Sequence, residues 1–236
     1  MRAAVIRTED ITERQWELLY GQLSEARRQK ADRIHLLAYR RESIAAGALL
    51  EWLLRQQGEE APFFYCASAN GKPFLIGRDG ERKTGVYFSI THTKGLAGAV
   101  MGEVPVGLDA ERIRPYPAKV AARYFSPAEQ KLLEEGNTAA FYRIWTKKEA
   151  LAKLLDLPLL QVMERPEDEP KHIRWHIRQV EEWMVALCEE RGCARGEKNR
   201  GRSGGSDSGR ASFLNGFSKR FCGVSHAAYR ESSGTF

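Results

Sequence analysis

The sequence predicts an α+β fold: helices, strands, helices and strands in that order, with two similar halves meeting near Glu103. Three observations predict it. Apolar residues recur at helical spacing through the first 57 residues and again between Pro117 and Leu155. Short apolar runs broken by turn residues lie between those two regions. The body then closes on two further apolar runs, joined at Glu181-Glu182. At 236 residues the chain is long enough to bury a core, as one large domain or two of about 100 residues. The two halves share no sequence repeat.

The elements follow in chain order. Thr12 to Arg28 reads as a helix carrying Trp16, Leu19, Tyr20 and Leu23 on one face. Lys30 to Gln57 reads as a second helix whose apolar face holds Ile34, Leu37, Ile44, Ala48 and Leu54, with Gly58 ending it. A basic cluster, Arg27, Arg28, Lys30, Arg33, Arg40 and Arg41, lies between these faces. Pro62 to Cys66 reads as a short strand and Asn70-Gly71-Lys72-Pro73 as a turn. Val86 to Ile90, Gly95 to Met101 and Val104 to Leu108 read as strands. Pro117 to Tyr124 and Pro127 to Glu135 read as helices, the second capped by Ser126 with Glu129 three residues on. Thr138 to Leu155 is the clearest helix, and Trp175 to Val180 and Trp183 to Cys188 are the closing strands. Gly192 to Gly209 is rich in Gly, Ser and Arg with hardly an apolar residue, which predicts disorder.

Composition narrows the function. Apolar residues make up 42% and charged residues 29%, an ordinary globular balance. No run of about 18 apolar residues exists, so no transmembrane helix is expected. The N-terminus MRAAVIRTEDITERQ has no apolar signal core, which predicts a cytoplasmic protein. The four Cys are scattered without a CxxC pair and read as reduced thiols. The net charge of +6 is uneven: from Glu189 onward nine Lys and Arg face five Asp and Glu, leaving about +2 for the body. The basic balance is therefore mostly a property of the tail, and no nucleic-acid partner is expected for the body.

The stretch "VGLDAERIRP" (Val106 to Pro115) places Asp109 and Glu111 two residues apart behind an apolar run. Residues two apart on a strand share a face, so both carboxylates can meet one ion. A turn or a solvated surface pair has the same spelling. Hard oxygen ligands suit Mg²⁺, which binds through one or two carboxylates, waters and substrate phosphates. In "FYRIWTKKEALAK" Trp145, Glu149 and Lys153 recur at i, i+4 and i+8 on one helix face. Trp beside Glu and Lys is an odd core stripe and a reasonable wall for a phosphate and metal site.

"PVGLDAE" followed by "FYRIWTKKEALAK" resembles the paired signature of the 4′-phosphopantetheinyl transferases, in the larger, Sfp-like class. "RRESIAAG" (Arg40 to Gly47), "GKPF" (Gly71 to Phe74), "FSITHTKGLA" (Phe88 to Ala97) and "YFSPAE" (Tyr124 to Glu129) stand where that class has similar segments, so the likeness runs from about Ala26 to Cys188. The resemblance implies a pseudo-twofold pair of similar halves, each with helices packed on a small antiparallel sheet, and an active site in the cleft between them. It sets the halves at residues 1–103, holding CoA phosphates, and 104–190, carrying the metal and catalytic motifs, with 191–236 a basic tail. It implies an enzyme that uses Mg²⁺ (or Mn²⁺) and CoA as substrate. The phosphopantetheine arm moves to a Ser of an apo acyl or peptidyl carrier protein, and adenosine 3′,5′-bisphosphate leaves. Asp109, Glu111 and Glu149 match the metal carboxylates; Glu149 and Lys153 match the catalytic pair; His92, Lys72, Arg41 and Lys148 match residues that hold CoA. The expected working unit is a monomer.

Two departures stand out. "GLDAE" replaces the commoner GIDIE, with Ala110 pointing away from the metal face, and Asp156 stands where the family usually has Gly. Two other readings use the same residues differently. A Mg²⁺-dependent phosphohydrolase or nuclease would need three carboxylates and a Lys but neither the basic N-terminal helix nor GKP. A nucleic-acid-binding protein would act through its basic tail, and its binding would fall steeply with salt.

Overall fold

The structure, a computed structural model, describes residues 1–133, 137–163 and 172–191. All of them lie in one contact unit, Met1–Gly192. The tail expected to be disordered falls outside the described residues, and the helix expected to reach Glu135 ends at Lys131, with Leu132 as its C-cap.

The chain begins with strand β1 (Arg2–Arg7), then a 3₁₀ turn (Thr8–Asp10), α1 (Glu13–Gln22), α2 (Glu25–Asp32) and α3 (Leu37–Gln56). The hairpin β2 (Phe64–Ala67) and β3 (Pro73–Ile76) follows, then β4 (Tyr87–Thr93) and β5 (Leu96–Gly102). Next come β6 (Val106–Arg112), α4 (Ala118–Tyr124), α5 (Pro127–Lys131), α6 (Thr138–Leu155), α7 (Leu159–Met163), β7 (Ile173–Val180) and β8 (Trp183–Glu190). Three antiparallel sheets result: β1-β5-β4, β2-β3 and β6-β8-β7. The fold is thus mixed α+β with small antiparallel sheets.

The structure departs from the sequence reading at three places near the N-terminus. The helix expected from Thr12 to Arg28 breaks in two. Thr12 caps α1 in a capping box with Gln15, and the chain turns extended at Leu23. There the buried Glu51 carboxylate accepts the Ser24 amide at 3.0 and 3.2 Å, and Ser24 starts α2. The helix expected from Lys30 likewise breaks, between Asp32 and Leu37. The strand β1, not expected at all, pairs with β5 in register from Arg2 against Met101 to Arg7 against Leu96.

The core follows from the helix faces. α3 buries Ile44, Ala45, Leu49, Leu50, Leu53 and Leu54 and packs on β5 and β4. Each fully buried Leu contributes about 1.5–3 kcal/mol relative to exposure. α6 packs on β6 and β8. Gly107 permits that approach, since a Cβ there would stand 2.0 Å from the Ala150 carbonyl oxygen. At the β4–β5 turn, Gly95 takes φ +84, and a Cβ would press on Trp183, whose indole N–H donates to the Lys94 carbonyl at 3.0 Å.

The two larger sheets meet along β4 and β6. β6 is an edge strand, so the backbone N–H groups facing away from β8 need partners. Side chains of β4 supply them. The Leu108 N–H donates to Ser89 Oγ at 3.1 Å, and the Ala110 N–H donates to Thr91 Oγ1 at 3.2 Å. This hydroxyl ladder joins the strand from the first sheet to the strand carrying the candidate carboxylates.

Candidate active site

Asp109 and Glu111 lie on β6, opposite Ala186 and Met184 of β8. The strand continues through both, so their spacing puts them on one face. Asp109 is only 4% exposed. Its Oδ1 accepts from the Lys153 ammonium at 2.7 Å and from the Thr91 hydroxyl at 3.2 Å. Its Oδ2 is buried without a hydrogen-bond partner. Glu111 accepts from the Thr93 hydroxyl at 3.2 Å.

α6 delivers Glu149 and Lys153 to the same place, one turn apart. Burial, then the charge of Asp109, pushes the Glu149 carboxyl up to about 7; Glu111 adds to this and Lys153 opposes it. Burial and the Asp109 charge also raise Glu111, against the Thr93 hydrogen bond and the charges of Arg114 and Lys153. The three carboxylates therefore share one electrostatic environment, in which added negative charge is unfavourable and positive charge is wanted. Among the described residues, no group of three His, Cys, Asp or Glu is drawn together as a metal cage. The unpartnered Asp109 oxygen and the mutual repulsion of the acids fit a cation bound by one or two carboxylates, with water and substrate oxygens completing its shell.

His92, on β4, has its Nδ1 3.6 Å from Glu42 Oε2. Burial lowers the imidazole below its ordinary value, and the charges of Lys153 and Lys30 lower it further. Of the N-terminal basic cluster, Lys30 is thus the member whose charge reaches His92. Arg41 instead pairs with Glu13 and lies over the Trp16 ring at 5.5 Å. Lys148 turns to α5, 3.0 Å from Glu129, the carboxylate that closes the α5 capping box. Trp145 stacks on Phe141, which stacks in turn on Tyr116, so its ring joins an aromatic cluster.

Lys72 sits in the turn between β2 and β3, and its ammonium donates to the Leu154 carbonyl at 3.2 Å and the Val106 carbonyl at 3.5 Å. Burial lowers its pKa. The same turn holds the end of α6. Ser68 Oγ donates to Asp156 Oδ1 at 2.8 Å, and Asn70 Nδ2 donates to the Asp156 carbonyl at 2.6 Å. Asp156 adopts the left-handed conformation, φ 54 and ψ 49, at the helix C-cap. That conformation favours Gly; Asp tolerates it, and here its side chain gains a partner.

The sequence pointed to Asp109, Glu111, Glu149 and Lys153, and the fold brings them together. It did not point to Ser89, Thr91 or Thr93. Their signal was present: in "FSITHT" three hydroxyls alternate at the same two-residue spacing as Asp109 and Glu111. The strand expected to end at Ile90 runs on to Thr93, so Thr91, His92 and Thr93 lie within β4. Glu42 and the capping role of Asp156 were also missed, because both depend on partners far away in the chain.

Residues 105–194 match the 4′-phosphopantetheinyl transferase superfamily. The matched region contains Asp109, Glu111, Glu149 and Lys153; His92, Lys72 and Arg41 precede it. HetI, a 4′-phosphopantetheinyl transferase of a Nostoc species, is 32% identical over 155 residues, 61% of this chain and 64% of the relative. A 4′-phosphopantetheinyl transferase of Bacillus pumilus is 27% identical over 147 residues, 60% of this chain and 61% of the relative. Sfp of Bacillus subtilis is 31% identical over 81 residues, 31% of this chain and 36% of the relative. The alignments thus span less than two thirds of these relatives' lengths.

Proposed function

We propose that this protein transfers the 4′-phosphopantetheine arm of CoA to a serine of an apo acyl or peptidyl carrier protein, releasing adenosine 3′,5′-bisphosphate. The observation that carries this reading lies in the matched region: a buried aspartate with one oxygen on Lys153 and the other unpartnered, beside two acids raised by burial and then by its charge. Such a site is short of positive charge, and a divalent cation that also meets the pyrophosphate oxygens supplies it.

Asp109, Glu111 and Glu149 are the residues that would hold Mg²⁺, or Mn²⁺ in its place. When bound, the ion neutralises charge on the pyrophosphate oxygens. The chain's own groups do the rest. His92 and Lys30 face the CoA phosphates, with Lys72, Arg41 and Lys148 as further contacts in this reading. Glu149 takes the proton from the carrier serine, directly or through one water. The serine oxygen then bonds to the β-phosphorus of CoA. The bond from that phosphorus to the bridging oxygen breaks, and the bisphosphate departs with the electron pair. Lys153 stabilises the negative charge that develops there.

In this reading residues 1–103 and 104–190 form a pseudo-twofold pair. The support is that each half has a three-stranded antiparallel sheet with one long helix laid on it. In this reading the working unit is a monomer. The test is to incubate the protein with CoA, Mg²⁺ and a panel of apo carriers and to weigh the carriers. A gain of one phosphopantetheine is expected. Folded protein that modifies no carrier, but releases phosphate from CoA or cuts nucleic acid, would replace this reading with a hydrolase.

A further inference from the structure

Glu42 is a buried acid with no part in the chemistry above. It lies on α3 at 4% exposure, where an unpaired carboxylate is rare. Its Oε2 has no hydrogen-bond partner, and the nearest cationic candidate is the imidazole of His92, with Nδ1 at 3.6 Å. Burial raises the Glu42 carboxyl; the Gly95 amide and the charge of Lys94, both in the β4–β5 turn, oppose that. Lys30 of α2 and Lys153 of α6 act on His92 itself. These are the charged groups reaching the pair from the elements around it.

A neutral imidazole carries one N–H and one lone pair. With Nδ1 beside a carboxylate oxygen, the proton belongs on Nδ1, because a lone pair there would face another acceptor. Nε2, on the other side of the ring, then presents its lone pair. Phosphate oxygens are acceptors too, so neutral His92 in this tautomer has nothing to donate to them. A second proton on Nε2 solves the problem, and Glu42 then stands behind the ring as its buried counter-charge.

We propose that Glu42 is a positioning residue for His92: it holds the ring proton on Nδ1, so that a phosphate group reaching Nε2 binds together with one proton. The function proposed above enters only in the choice of probe, adenosine 3′,5′-bisphosphate.

Two measurements test it. Long-range ¹H–¹⁵N spectra of the free protein near pH 8 report the His92 tautomer, and the Nδ1–H form is expected. Calorimetry of the bisphosphate at that pH, in buffers of different ionisation enthalpy, counts protons taken up. Wild type should take up close to one proton per ligand. Glu42→Gln, whose amide can donate to Nδ1 and free Nε2–H for the phosphate, should take up less than half of that. It should also bind about tenfold more weakly, for want of the counter-charge. A free wild-type protein in the Nε2–H form overturns the proposal, as does equal uptake in the two proteins. If Glu42→Gln does not fold, the wild-type tautomer decides alone. If the bisphosphate does not bind, the transferase reading fails while the tautomer still decides the role of Glu42.

Discussion

Replacing Glu149 by Gln should abolish transfer and stabilise the free protein at alkaline pH. The structure supplies the magnitude. An ordinary Glu titrates near 4.5, and burial beside Asp109 and Glu111 lifts this one to about 7. A carboxyl raised in the folded state favours folding fully only below the unfolded value, and that contribution disappears as pH rises through the folded value. Above about 7, folding must hold an ionised Glu149 in a place that resists it. At about 1.36 kcal/mol per tenfold, the difference near pH 8 is about 3 kcal/mol, and near pH 5 it falls to about 1 kcal/mol. Glu149 keeps some contact with water, so these are upper values. Urea unfolding of wild type and Glu149→Gln at both pH values reads the difference directly. A variant no more stable than wild type near pH 8, or an advantage that does not shrink toward pH 5, would refute the account of the site as a cluster of mutually repelling acids.

The remaining predictions concern the parts that build this cluster. Mg²⁺ should raise the melting temperature of wild type, and Asp109→Asn should lose most of that rise along with nearly all transfer; equal rises measured by calorimetry would remove Asp109 from the cation site. Thr91→Val should cost about 1–3 kcal/mol in urea, because it strips the Ala110 N–H of its acceptor and Asp109 of a donor, and turnover should fall with it. Ser68→Ala removes the donor to Asp156 and the acceptor of the Lys72 N–H, so it should lose about 1–3 kcal/mol, and in an Asp156→Gly background it should lose less, because one of the two bonds is already gone; equal losses in the two backgrounds would show that the pair is not coupled.

Much of the α6 and β6 geometry could be read from the chain alone. The helix Thr138–Leu155 has the bounds its apolar period predicts. Ser126 and Glu129 form the capping box their spacing announces, and the turn at Glu181-Glu182 joins two strands as expected. These are local signals, set by residues three or four apart on a helix or two apart on a strand, and a sequence displays them openly. The same periodicity placed Glu149 and Lys153 one turn apart and set Asp109 and Glu111 on one face.

What faces those residues was decided only by tertiary structure. β1 has a short apolar middle and becomes a strand because β5, some ninety residues away, offers it an edge. Thr91 and Thr93 look like any strand threonines until β4 lies against β6 and their hydroxyls meet Asp109 and Glu111. Asp156 holds a left-handed helix end because the β2–β3 turn, distant in the chain, binds it. Glu42 reads as one charge in a mixed helix, yet it is buried behind His92. Burial and the like charges of Asp109 and Glu111 also lift Glu149 to about 7, and neither is a property of its neighbours in the chain. The sequence by itself determined which groups each element carries; packing decided which of them lose water and which face one another, because desolvation and charge coupling depend on distance in space rather than along the chain.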